Sequence, residues 1–313
     1  MDRIADILVI VDPSIGAAEQ PAIAKAHLLA KRLDAGVELL ACDTEYSREA
    51  RIAAKWPGAA RASLPDSLPA MLDRWAMPLR GDGVQVETHA ITGDSLHQSV
   101  LSWMRNSPAD LVVKDTHHHS AVRRTFMTNT DWNLIRACPL PLLLTKPARW
   151  RAPPVFAAAV DPGHANDAPA SLDHRILDVT VTLARRLDAR VHAIHAYFPS
   201  TIALAGPGGM PPLVDISAES LAAEQEQQHA RIKHLTDEYG IDAVNLHVEV
   251  GAAAQYIPRV AAEFDADLVV MGAIARSGLR HVFIGSTAER VLEALPCDIL
   301  VIKPIDFAKN LPF

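Results

Sequence analysis

Asp110-Leu111-Val112-Val113 returns 157 residues later as Asp267-Leu268-Val269-Val270, and this duplication restricts the fold more than any other property of the chain. Carried forward without a gap, the offset pairs residues 110–147 with 267–304 and makes 13 of 38 pairs identical. Unrelated segments of that length would share roughly two or three. Among the matches, Phe126 meets Phe283, Pro139 meets Pro296, and Lys146-Pro147 meets Lys303-Pro304. Nearer the start, Val11-Asp12-Pro13 returns as Val160-Asp161-Pro162 and Arg32-Leu33-Asp34-Ala35 as Arg186-Leu187-Asp188-Ala189, at offsets that loop insertions would shift. Gly93 falls opposite Gly251. The chain therefore reads as two copies of one unit, 1–149 and 150–313, meeting in the basic, proline-rich stretch 146–154.

Each copy alternates strand and helix. In the first, a continuous apolar strand is predicted at 7–12, short strands near 37–42, 84–91, 110–114 and 141–145, and helices at 21–34, 66–79, 95–106 and 130–137. Apolar strands separated by helices imply a parallel sheet covered on both faces, reached by right-handed crossovers. The fold class is thus α/β, five parallel strands per copy, doubly wound and Rossmann-like. Ligands of such sheets bind beyond the carboxyl ends of the strands, where strand order reverses. That edge collects Asp12, Lys114 and Asp115 in the first copy, and Asp161, Met271 and Gly272 in the second.

Thirty Lys and Arg against 37 Asp and Glu leave a formal charge of −7, which argues against a broad nucleic-acid surface. No apolar run reaches the length that spans a bilayer. The acidic start Met1–Asp6, followed by a short strand, differs from a signal peptide. Three scattered cysteines, Cys42, Cys138 and Cys297, suit neither a disulfide framework nor a zinc cage. A cytoplasmic protein without membrane or nucleic-acid partners is expected.

The second copy follows its fourth strand with a loop, 272–287, that ends in Gly285-Ser286-Thr287 just ahead of a helix. Free amides and the helix dipole at such a start favour an anion, and glycine lets a phosphate approach the backbone. The same residues equally suit a plain N-cap and turn. Gly272, two residues, the small residue Ala275, nine residues and then Gly285-Ser286 closely resemble the nucleotide loop of the universal stress protein family, and 297–304 resembles that family's last strand. The likeness covers the chain twice, as in the tandem-domain E type of the family. It implies an adenine nucleotide α-hydrolase-like fold, an internal pseudo-dimer of the two copies, and ATP, with Mg2+ within reach of Asp161, bound in the second copy. By position the nucleotide would lie among Asp161, Ala196, Gly272, Ala275, Gly285, Ser286 and Thr287, with adenine near Ala196. Ala275 departs from the family's second glycine, and its methyl group intrudes on the phosphate path. The implied role is a stress-responsive sensor or regulator, at most a weak ATPase. A homodimer of tandem chains is left open.

The first copy departs further. Asp115 and His118 replace the loop glycines, Thr128-Asn129 stands where Gly-Ser should be, and Asp131 falls in the first turn of the next helix. Two carboxylates there are expected to repel a polyphosphate by several kcal/mol. Three further features have competing readings. Asp115, His117 and His119 would share one face of an extended segment, a start for a metal site, although an exposed polar loop is the commoner arrangement. The apolar, glycine- and proline-rich segment 199–214 suits either a connecting loop or a flap over an apolar, lipid-like ligand, which makes a carrier the alternative function. Cys138 and Cys297, each just ahead of a last strand, read as small buried hydrophobes rather than a redox pair. No hydrolase, zincin or P-loop motif occurs.

Overall fold

The structure, a computed structural model, describes residues 3–43, 67–93, 95–118, 125–162, 170–198, 218–273, 284–305 and 307. It divides into two compact units, Met1–Arg149 and Trp150–Pro312.

In the first unit, β1 (Asp6–Val11), β2 (Gly36–Cys42), β3 (Val86–Ile91), β4 (Leu111–Asp115) and β7 (Leu142–Thr145) pair in parallel in the order β7-β4-β1-β2-β3. The helices are α1 (Pro21–Leu33), α2 (Leu68–Gly81), α3 (Leu96–Met104) and α4 (Asn129–Ala137). A two-stranded antiparallel pair, β5 (His117–His118) with β6 (Thr125–Phe126), follows β4. In the second unit, β8 (Val155–Ala159), β9 (Arg190–Tyr197), β10 (Leu246–Val250), β11 (Leu268–Gly272) and β12 (Asp298–Ile302) give the order β10-β9-β8-β11-β12, again parallel. Its helices are α5 (Ala170–Leu187), α6 (Ala218–Asp237), α7 (Ala253–Glu263) and α8 (Ser286–Ala294). In both units the strand order reverses between the first and fourth strands, the switch point expected from the sequence.

Several repeated residues hold these elements together. Asp110, which opens the repeated Asp-Leu-Val-Val, accepts the amides of Ala5 and Asp6 at 2.7 and 3.2 Å. Asp267 does the same for Val155 at 2.8 Å. In each copy a carboxylate ahead of strand four thus satisfies the amides that open strand one. The repeated Arg-Leu-Asp-Ala is a helix stop. Asp34 and Asp188 sit at φ 56° and 55°, the left-handed region that aspartate tolerates better than most residues. The next amides, of Ala35 and Ala189, bond back to Ala30 and Ala184.

Away from the carboxyl edge, β9 and β10 carry a stacked ring cluster. His192 lies flat on Phe264, centroids 4.2 Å apart, and its Nδ1 is 3.0 Å from Nε2 of His247. Burial, reinforced by His247 and Arg190, lowers the His192 pKa to about 4, and burial lowers His247 as well. The folded state therefore holds fewer protons than the unfolded chain between pH 6.5 and about 4. The His192 contribution is complete above pH 6.5 and is lost as the pH falls towards 4. Because the pair is partly exposed, screening reduces the expected loss to about 1–2 kcal/mol. Urea midpoints at pH 7 and pH 4.5 measure it. His192→Phe should flatten that dependence, and an unaltered slope would remove the pair from the account.

Candidate functional site

The carboxyl edge of the second unit is built from the ends of β8, β9 and β11 and the start of α8. Past β8, the amide of Asp161 donates to Asp173 Oδ1 of α5 at 3.0 Å, and the Asp161 side chain is 56% exposed. Its Oδ1 is 3.9 Å from Nδ1 of His195, a buried ring that also contacts the Val160 carbonyl at 3.1 Å and stacks on Tyr197. Ala196, between them in sequence, turns to the opposite face of β9 and pairs with Glu249 of β10. Beyond β11, Lys303 Nζ donates to the Ala273 carbonyl at 2.7 Å and fixes the chain as it leaves the sheet.

Gly272 ends β11 under the first turns of α5. A Cβ there would fall 2.6 Å from Leu172 Cδ2 and 3.6 Å from Ile176 Cδ1. The glycine therefore has a packing reason of its own. Gly272→Val should cost about 1–3 kcal/mol by overpacking, and Leu172→Ala should recover part of it in a denaturation cycle. Full additivity would show that the contact is not the cause.

Gly285 is the N-cap of α8, at φ −61° and ψ 140°, and supplies no side-chain acceptor to the first amides. Ser286 and Thr287 follow, both exposed. A helix start with no side-chain cap from its N-cap residue and with two hydroxyls suits a phosphate chemically. Ala275 lies outside the described residues, as do His119 and the segment 199–214.

The matching edge of the first unit is filled by its own side chains. The N-cap of α4 is Thr128, and a complete capping box closes the helix start. Asp131 N donates to Thr128 Oγ1 at 3.2 Å, and Thr128 N donates to Asp131 Oδ2 at 2.8 Å. The other carboxylate oxygen of Asp131 is 2.9 Å from Lys114 Nζ, both side chains being almost wholly buried. Asp115 Oδ1 accepts from Ala22 N at the start of α1 and from Thr145 Oγ1. This corrects the expected repulsion by two free carboxylates. The Asp131 charge is matched by Lys114, and the capping box uses the Thr128 and Asp131 amides at the helix start. The Lys114–Asp131 pair was not anticipated. Its signal lay in the repeat, where Lys114 and Asp131 face Met271 and Ala288, so an ion pair in one copy replaces an apolar pair in the other.

Residues 4–146 and 165–303 each match the family model described as Universal stress protein family. The chain belongs to the universal stress protein family. It is 28% identical over 304 residues to Universal stress protein E of Escherichia coli K12, covering 96% of this chain and 94% of that protein. Universal stress protein E of Photorhabdus laumondii is 26% identical over 313 residues, covering 98% and 97%. Among solved structures, a functionally unknown protein from Pseudomonas aeruginosa PAO1 superposes with a TM-score of 0.75 at 30% identity, covering 98% of this chain and 95% of that one. The tandem universal stress architecture implied by the loop resemblance and the α/β Rossmann-like fold read from the repeat are thus both found. Among the described residues no helix is long and apolar enough to cross a membrane.

Proposed function

We propose that the second unit of this universal stress protein binds an adenine nucleotide, ATP, and that the chain acts in the cytoplasm as a sensor or regulator rather than a dedicated enzyme. The phosphates would lie along the loop from Gly272 through Ala275 to Gly285, Ser286 and Thr287. Adenine would lie near Ala196, and Asp161 would be within reach of a phosphate-bound Mg2+. One observation carries this reading: α8 begins on a glycine that caps nothing, whereas the corresponding α4 is closed by Thr128 and Asp131. An anion that accepts from the first amides of α8 would gain the bonds that Asp131 makes for itself in the first unit. On the same ground, the first unit is assigned no nucleotide.

Equilibrium dialysis of the full chain against ATP with Mg2+ tests the assignment. One equivalent per chain is expected. Gly285→Val keeps an allowed backbone but places a branched side chain at the helix start, and it should weaken binding tenfold or more, about 1.4 kcal/mol. Two equivalents per chain, or a variant that binds as well as the parent, would contradict the proposal.

A further inference from the structure

At the edge of the first unit's sheet, a cavity of about 420 Å3 lies between the end of β3 and α3. Its volume falls within the range of about 300–1,000 Å3 that holds small-molecule ligands. Ile91 and Trp103 give it an apolar wall, and Thr92, Gln98, Ser99, Ser102 and Asn106 give it hydroxyls and carboxamides. None of the described residues that line it is charged. Gly93 lets the turn after β3 close against the helix, since a Cβ there would fall 2.0 Å from Ser99 Oγ.

Trp103 is the group that points to a ligand. Its indole N–H donates to Glu38 of β2, and His89 of β3 packs on the ring with centroids 4.7 Å apart. Ser107 Oγ holds the other oxygen of Glu38 at 2.9 Å. An aromatic ring is therefore fixed in place by two strands, and it still lines the cavity. The five polar side chains around it make no hydrogen bond to any described residue, so their donors and acceptors stay available. The same positions of the second unit, 157 residues on, are differently filled. There Tyr256, Arg259 and Glu263 replace Ser99, Ser102 and Asn106, and they occupy one another. Arg259 Nη1 donates to Glu263 Oε1 at 2.6 Å, its Nη2 reaches Glu249 Oε2 at 3.4 Å, and its guanidinium lies 5.1 Å from the Tyr256 ring centroid. One copy thus closes this surface with its own side chains, and the other leaves it open.

The lining selects the chemistry of the ligand. A charged ligand finds no counter-ion in the wall, and a wholly apolar one would cover five polar groups without pairing them. Hydroxyls and carboxamides both donate and accept, which matches a ligand dense in hydroxyls. A fixed indole offers an apolar surface to a ring whose C–H bonds point to one side. We propose that this cavity is a second small-molecule site, specific for a neutral saccharide, with one sugar ring on Trp103 and hydroxyls shared with Gln98, Ser102 and Asn106. The site is independent of the nucleotide assignment and stands if the second unit fails to bind ATP.

The test titrates the full chain, labelled with 15N, with cellobiose and follows the indole N–H resonances of its five tryptophans, Trp103→Phe identifying that of Trp103. The Trp103 resonance should move along a saturable curve at millimolar cellobiose, with or without ATP. Cyclohexanol, an apolar ring with a single hydroxyl, should bind at least tenfold more weakly, a comparison that needs no variant. Ser102→Arg/Asn106→Glu rebuilds the second unit's ion pair across the cavity at two exposed positions. It should weaken cellobiose tenfold or more while melting with the parent. A Trp103 resonance that does not move, equal binding of cyclohexanol, undiminished binding to the double variant, or tighter binding of an uncharged acetylated and amidated Gly-Ser-Gly peptide would each overturn the proposal.

Discussion

Lys114→Met alone is expected to destabilise the protein by about 3–5 kcal/mol, because it strands the carboxylate of Asp131 in the interior without its counter-ion. Asp131→Ala should cost a similar amount, since it leaves the Lys114 ammonium buried and also removes half of the capping box, itself worth about 1 kcal/mol. The double variant Lys114→Met/Asp131→Ala should recover most of the loss. Replacing a buried ion pair by apolar residues of similar volume is often neutral, whereas removing one partner is not. The protein already carries the apolar solution, because Met271 and Ala288 occupy these two positions in the second copy. What the double variant should not recover is the cap. Urea unfolding of the full chain gives the cycle, and hydrogen exchange of the β4 and α4 amides localises the loss to the first unit. A double variant whose cost equals the sum of the single ones would show that the two side chains do not act as a pair.

The fold was legible because the duplication supplied each element twice. Where an apolar run such as 110–114 recurs at 267–271, a reading of one copy is checked by the other, and the strands of the first unit fall within one or two residues of those expected. Residues whose role is decided by a partner distant in sequence were less legible. Asp131 was seen at the head of a helix, but its charge could be judged only once Lys114, on a strand 17 positions earlier, was placed 2.9 Å away. Gly272 was read through the phosphate loop, although Leu172, a hundred positions away, packs its terminal methyl where a Cβ would fall. Along α6, Gln225 and His229 are exposed, whereas Ile232 and Thr236 are buried. A helix with so weak an apolar stripe leaves its contact face to the sheet it meets rather than to its own sequence. The β5–β6 pair was missed because two residues per strand carry no periodicity.

Moving the first copy's arrangement into the second should abolish ATP binding without unfolding the protein. Gly285→Thr/Ala288→Asp/Met271→Lys rebuilds at α8 the Thr128–Asp131 box together with the Lys114 counter-ion. A charge-assisted hydrogen bond is worth about 1.5–3 kcal/mol, so taking two amides from the phosphate should cost about 3 kcal/mol or more. The expected loss in ATP affinity is hundredfold or greater, about 2.7 kcal/mol. Stability should stay within about 1–2 kcal/mol of the parent, since a cap gained offsets the burial of an ion pair. Omitting Met271→Lys is the internal control. That double variant places an unpaired carboxylate beside Met271, so it should lose stability as well as ATP, by the same logic that penalises Lys114→Met in the first unit. Dialysis and thermal melting on the same samples separate the two effects. A triple variant that melts like the parent and still binds ATP would place the phosphates somewhere other than the start of α8. One that loses ATP while holding its fold would tie the difference between the copies to three side chains at one helix terminus.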